Sequence, residues 1–187
     1  MTTTDCGFSD GSFQSGADLL VQLGPILLVN IGLDLEYNYA ETGVALNSDA
    51  TQVKALVDTG AISSCIDDDL AQSLGLPLVN RQTMISLSGQ SEVNLYLAHV
   101  TIPALSFFQR GVFYGCSINK ATWNYRAVLG RTFLRDMILI YDGPTGSVRI
   151  ARKPGGKANI KPPVELLPLY DAAPQHDEGG PERVVRR

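Results

Sequence analysis

The sequence predicts a mostly-β, barrel-like domain with two short helices. Three observations carry this. The apolar runs are short and mostly repeat every second residue, as half-buried strands require. The segments between them carry Gly, Asn, Asp and Ser, the residues that turn a chain. Only two stretches, 68–74 and 131–136, have the spacing and end signals of a helix.

In chain order, residues 1–18 are rich in Gly, Ser, Thr and Asp with few apolar anchors and read as a flexible leader. Pro25–Leu33 and Thr51–Val57 read as strands, with NYAETGVALNSDA between them as a long hairpin connection, and Ser63–Ile66 follows as another short strand. Asp67-Asp68-Asp69 offers an N-cap for a helix whose Leu70 and Leu74 share a face. Gly75 stands at its stop position and Pro77 follows. Thr83–Leu87 and Glu92–Ile102 form a long hairpin tipped by Ser88-Gly89-Gln90, and a slip of phase places a bulge near Ala98. Gly111–Cys116, Ala127–Leu129, Met137–Tyr141 and Gly146–Ala151 complete the strands, with a single helical turn over 131–136. The globular domain is assigned to residues 19–152. Residues 153–187, dominated by Pro, Gly and charge, read as a mostly disordered tail in which Val164–Tyr170 is apolar enough to dock.

The totals exclude several function classes. With 187 residues and 44% apolar composition the chain can bury one real core. A net charge of −4, without basic runs interleaved with aromatics, argues against a nucleic-acid surface. The apolar stretch Leu19–Leu35 is interrupted by Gln22, Gly24, Pro25, Asn30, Gly32 and Asp34, so no membrane span is expected. The N-terminus lacks the positive region of a secretory signal, and the expected location is cytoplasmic. Cys6, Cys65 and Cys116 are too widely spaced for a disulfide framework and read as reduced thiols, the last two buried. Neither a metal site nor a cofactor is expected: no H-x-x-H and no phosphate-loop motif occurs, and His99 and His176 are isolated. Nothing orients a Cys65–His99 nucleophile pair, and Trp123 and Tyr125 read as core or pocket wall.

Against this background ALVDTGAISSCID, residues 55–67, stands out, because it places the carboxylate of Asp58 inside a segment that otherwise asks to be buried. Such a carboxylate is paired, protonated or used. Apolar-Asp58-Thr59-Gly60-Ala61, the Gly-tipped hairpin around Gly89, and Ala127-Val128-Leu129-Gly130-Arg131 followed by Phe133-Leu134 come in that order. Together they resemble the retropepsins, the retroviral-type and cellular retroviral-like aspartic proteases, over about residues 25–152.

The resemblance implies an aspartic endopeptidase with Asp58 as the catalytic residue, and Thr59 and Gly60 supporting its loop. It implies a substrate contact surface from Ala61, Ile62, Gly89, Val128 and Leu129, with Gly130 and Arg131 structural at the site. Aspartic proteolysis needs two carboxylates, and this sequence holds one Asp-Thr-Gly. Glu41-Thr42-Gly43 lies in a polar loop, and Tyr141-Asp142-Gly143 reads as a turn. The second Asp must come from a second chain, so the implied partners are a homodimer mate and a protein or peptide substrate. Ile62 and Ser63 stand where many viral members carry acids, which leaves Arg131 without its customary partner. The helix after the catalytic strand looks more like cellular and bacterial members. A different class of function shares the same fold: a catalytically silent dimerisation or peptide-binding module.

Overall fold

The computed structural model describes residues 1–33, 51–86, 89–118 and 122–152. Six of its strands close on themselves. In sheet order they are β2 (Ile26–Gly32), β3 (Thr51–Val57), β8 (Ala127–Leu129), β4 (Cys65–Asp67), β7 (Phe107–Cys116) and β6 (Gly89–Ile102). β6 then pairs back onto β2, with Asn30 opposite Thr101 and Gly32 opposite His99. β5 (Leu78–Ser86) lies outside this closure and, among the described residues, pairs only with β6. Closure leaves the barrel no free edge along that seam, and it surrounds a core of Val29, Ile31, Ala55, Val57, Ile66, Ala98, Val100, Ile102 and Leu129.

β3 and β8 are parallel, Ala55 opposite Ala127 and Val57 opposite Leu129, whereas β4 runs antiparallel to β8 and parallel to β7. Parallel neighbours need crossover connections rather than hairpins. This topology brings the turn after β3 and the turn after β8 side by side.

β6 changes character along its length. Residues 89–92 are exposed, whereas every residue from Ala98 to Ile102 is buried. Successive side chains face opposite ways, so both faces are covered there, and this is why the period-two pattern is lost. The bulge expected near Ala98 is absent: β6 and β7 keep continuous register from Leu95–Tyr114 to Ile102–Phe107. The irregularity falls instead in β5, between Leu78 and Asn80.

The first eighteen residues are not the flexible leader expected from composition. Thr2–Asp5 forms β1, antiparallel to β10 (Ser147–Arg152), which pairs with β9 (Met137–Asp142) in a separate three-stranded sheet. Threonine suits an edge strand. The pairing continues through Cys6 N–H to Val148 O at 2.9 Å and Phe8 N–H to Gly146 O at 2.9 Å. Backbone approaches so closely here that a Cβ on Gly146 would lie 2.2 Å from the Gly16 carbonyl carbon.

Among the described residues there are three α-helices rather than the two expected. α1 (Gly16–Leu23) was not expected; α2 (Asp68–Ser73) and α3 (Arg131–Leu134) were, and a 3-10 turn covers Pro103–Leu105. Ser15 caps α1 by accepting from Asp18 N–H at 3.1 Å, and Gly24, at φ 68°, ends it. α2 starts at Asp68 after Asp67, although the Asp67 side chain makes no capping bond. The long connection 34–50, the hairpin tip at 87–88 and the tail with Val164–Tyr170 lie outside the described residues.

Candidate active site

Val57, 3% exposed, ends β3 in the core, and the next residue turns out of it. Asp58 N–H donates to Leu129 O at 3.0 Å, continuing the β3–β8 ladder by one bond. Its carboxylate is half-buried, less enclosed in the single chain than the apolar run around it suggests. Oδ1 accepts from Gly60 N–H at 2.7 Å, an Asx-type turn that fixes the carboxylate's direction. A Cβ at position 60 would sit 3.1 Å from that same oxygen, so glycine leaves the carboxylate room. Among the described residues no cation pairs with Asp58. Thr59 and Gly60 are exposed.

The loop from Asp58 to Ser64 is tied from below by the turn that follows β8. Arg131 N–H donates to Ala61 O at 2.9 Å and Thr132 N–H to Ile62 O at 3.0 Å. Ser64 is buried; its Oγ accepts from Gly130 N–H at 3.1 Å, and Thr132 Oγ1 accepts from Ser64 N–H at 3.2 Å. A Cβ on Gly130 would meet Ser63 O at 2.7 Å and Ala61 O at 2.9 Å. Glycine is what lets the two turns stack. Ser64 and Thr132 are members of this framework that the motif reading did not single out. The signal available was a hydroxyl residue at the return of each turn.

Ile62 is 67% exposed, and Ala61 and Val128 are half-buried, all three reachable by a ligand. Leu129 is a correction: at 2% exposure it belongs to the barrel core, because β8 is central in the sheet and alternate residues point inward. Gly89 is exposed at the β5–β6 hairpin with φ 116°, a conformation that favours glycine. The Arg131 side chain is exposed, and no carboxylate pairs with it among the described residues.

One pairing near the loop, Asp67 with Arg126, went unread in the sequence. Asp67, with its side chain 3% exposed, pairs with Arg126 Nε at 2.5 Å, and its N–H donates to Arg126 O at 2.9 Å. Tyr125 is buried against Trp123, ring centroids 5.6 Å apart. Burial raises the Tyr125 hydroxyl's pKa, and the nearby charges of Cys116, Asp58 and Cys65 add to the rise. His99 is buried with its ring 5.6 Å from Phe108. Cys65 and Cys116 are half-buried rather than buried; Cys6 is the buried thiol. Among the described residues no three His, Cys, Asp or Glu side chains gather as a metal site, and no helix is long and apolar enough to cross a membrane.

A family model described as "gag-polyprotein putative aspartyl protease" matches residues 44–136, which contain both turns. On this match the chain belongs to the retropepsin-like aspartic protease family. Among solved structures it is similar to the simian foamy virus (mac) protease, with 13% identity and a TM-score of 0.37, covering 59% of this chain and 91% of that one. It is also similar to the retroviral protease-like domain of Ddi1 from Leishmania major, with 14% identity and a TM-score of 0.38, covering 71% and 97%. No curated protein matches the chain.

Proposed function

We propose that the chain is an aspartic endopeptidase that acts as a homodimer and hydrolyses peptide bonds between two Asp58 carboxylates, one from each chain. The observation that carries this reading is the Asp58 turn. Its carboxylate is oriented by Gly60 N–H, unneutralised by any cation among the described residues, and braced on a stacked second turn through Gly130. A structural carboxylate would be expected to have a cation or a buried donor set, as Asp67 does.

With one such turn per chain, the site is complete only when two copies meet. Two carboxylates held close share one proton, since both cannot be charged cheaply. The ionised one takes a proton from water as the water oxygen bonds to the scissile carbonyl carbon. The protonated one gives its proton to the carbonyl oxygen, forming the tetrahedral diol. Collapse of the diol breaks the C–N bond, and a carboxyl proton passes to the leaving nitrogen. The exposed Thr59 hydroxyl is free to reach the partner loop. In this reading the exposed arm of the β5–β6 hairpin covers an extended peptide, and Ala61, Ile62 and Val128, none of them fully buried, meet its side chains. Trp123, exposed over the buried Tyr125, offers a further apolar contact in this reading. The domain doing this is residues 19–152 with β1 added.

The test is native mass measurement together with cleavage of a mixed peptide library by the full chain. Two chains per particle and activity with a bell-shaped pH profile are expected. Cleavage by a strictly monomeric particle overturns the shared dyad. Peptide binding by a dimer with no turnover at any pH favours the silent module.

A further inference from the structure

Cys65 begins β4 and Cys116 ends β7, and these strands are parallel, with Cys65 opposite Tyr114 and Asp67 opposite Cys116. Residues two apart on a strand share a face. Cys116 therefore lies on the same face as Tyr114, diagonal to Cys65. Across that diagonal the Cys116 thiol donates to Cys65 Sγ at 2.7 Å. Both side chains are half-buried, open enough for a small thiol reagent. The two strands already hold the thiols together, so a bond between them asks for little backbone movement.

The direction of the hydrogen bond assigns different parts to the two sulfurs. Cys116 keeps its proton: the hydrogen bond to Cys65 raises its pKa, and burial and the charges of Cys65, Asp67 and Asp68 raise it further. Cys65 accepts, so it is the sulfur placed to attack. Cys6 stands apart from this pair. Its Sγ faces Val148 O on the terminal sheet, and burial with the neighbouring Asp5 pushes its pKa up to about 12, so it is a poor nucleophile.

We infer that Cys65 and Cys116 form an oxidation site, closed by glutathione disulfide into an intramolecular disulfide that staples β4 to β7. In the first step Cys65 thiolate attacks one sulfur of glutathione disulfide. The glutathione S–S bond breaks, one glutathione thiolate leaves, and a mixed disulfide remains on Cys65. Cys116 then gives its proton to the departing thiolate and attacks Cys65 Sγ, releasing the second glutathione. Two protein thiols are oxidised, and one glutathione disulfide becomes two molecules of glutathione.

The staple closes a loop between positions 51 apart, which contains α2 and the whole β5–β6 hairpin. It restricts the unfolded chain and so stabilises the oxidised form. It also lies beside Tyr125, whose hydroxyl feels Cys116, Asp58 and Cys65 together, so oxidation removes two titratable thiols from the neighbourhood of that hydroxyl.

The test uses the full chain, incubated folded with excess glutathione disulfide, quenched in acid, alkylated and mapped by mass spectrometry. The expected product is two hydrogens lighter, retains no glutathione, yields a cross-linked peptide pair holding Cys65 and Cys116, and leaves Cys6 alkylated. Its melting temperature should rise by about 5–10 °C. Cys116→Ser should stop at the mixed disulfide on Cys65, and Cys65→Ser should take up glutathione far more slowly. Glutathione retained on wild-type Cys65 without closure overturns the inference. So does a cross-link through Cys6, or thiols that all stay free. The wild-type peptide map decides the matter even if neither serine variant folds.

Discussion

Asp58 and Asp67 lie nine residues apart, one just after β3 and the other at the end of β4, and they are held in opposite ways. Asp67 is enclosed, faces the Arg126 guanidinium and is tied to the same residue through its backbone. Asp58 is half open and receives one backbone N–H, with no cation beside it among the described residues. A buried charge that is fully paired belongs to the architecture; removing one partner leaves the other costly. A carboxylate that is oriented but not neutralised keeps its capacity to exchange protons. The difference separates a brace from a candidate reagent within one short stretch, although each aspartate directly follows a buried apolar residue, Val57 or Ile66.

The contrast breaks most visibly at Asp58. Asp58→Asn should lower peptide turnover by more than about a thousandfold, because it removes both proton-transfer roles from a dimer. The melting temperature should stay within the change expected for about 0.5 kcal/mol. Turnover that survives in purified protein would move the chemistry away from this turn.

Arg126→Ala should do the reverse at Asp67. It leaves an enclosed carboxylate uncompensated and should cost about 2–4 kcal/mol in urea unfolding, with some of the loss recovered when Asp67→Asn is added. The lower end allows for the partial exposure of the arginine side chain, 29%. A cost below about 0.5 kcal/mol would place the pair with surface ion pairs such as Asp5–Arg149.

Gly130→Ala sharpens the link between the two turns. Its methyl would press on the carbonyls of Ser63 and Ala61, costing about 1–3 kcal/mol, and it should impair turnover by tilting the Asp58 loop. Full activity with full stability would mean that the stacked turns are independent.

The effect that is smallest at neutral pH concerns Cys6, a titratable group facing Val148 of the terminal sheet. Its folded pKa, pushed up to about 12 by burial and then by Asp5, lies above its unfolded value near 9. The folded state therefore holds the proton more tightly. This contribution to stability is fully present below pH 9 and is lost as pH rises from 9 towards 12. Cys6→Ala should flatten that part of the stability profile, read by urea unfolding at stepped alkaline pH. An unchanged slope would assign the alkaline loss to other groups.

Sequence periodicity exposed most of the barrel because β3 and β8 are short, apolar and bounded by turn residues. The Asp58 turn and Gly130 were legible for a local reason: their demands on residue type, a small residue and a glycine, are met within a few positions. Three things were hidden. α1 buries only Gly16 and Leu20, so its apolar residues merged with the strand that follows, although Ser15, Asp18 and Gly24 mark its ends. β1 is polar along its length and is specified by its partner, 2 against 152, which no local window contains. The Asp67–Arg126 pair is likewise set by topology, 59 positions apart.

The pairing of Thr2 with Arg152 also orders events in time. During synthesis β1 leaves the ribosome well before its partner strand β10, so the terminal sheet waits on a long loop closure. Until then β10 has no neighbour on that side, although Val148, Ile150 and Ala151 are the residues it will bury. An unpaired edge of this kind accepts any matching strand. The interval before β1 docks is when a β1 from a second nascent copy competes best for the same place.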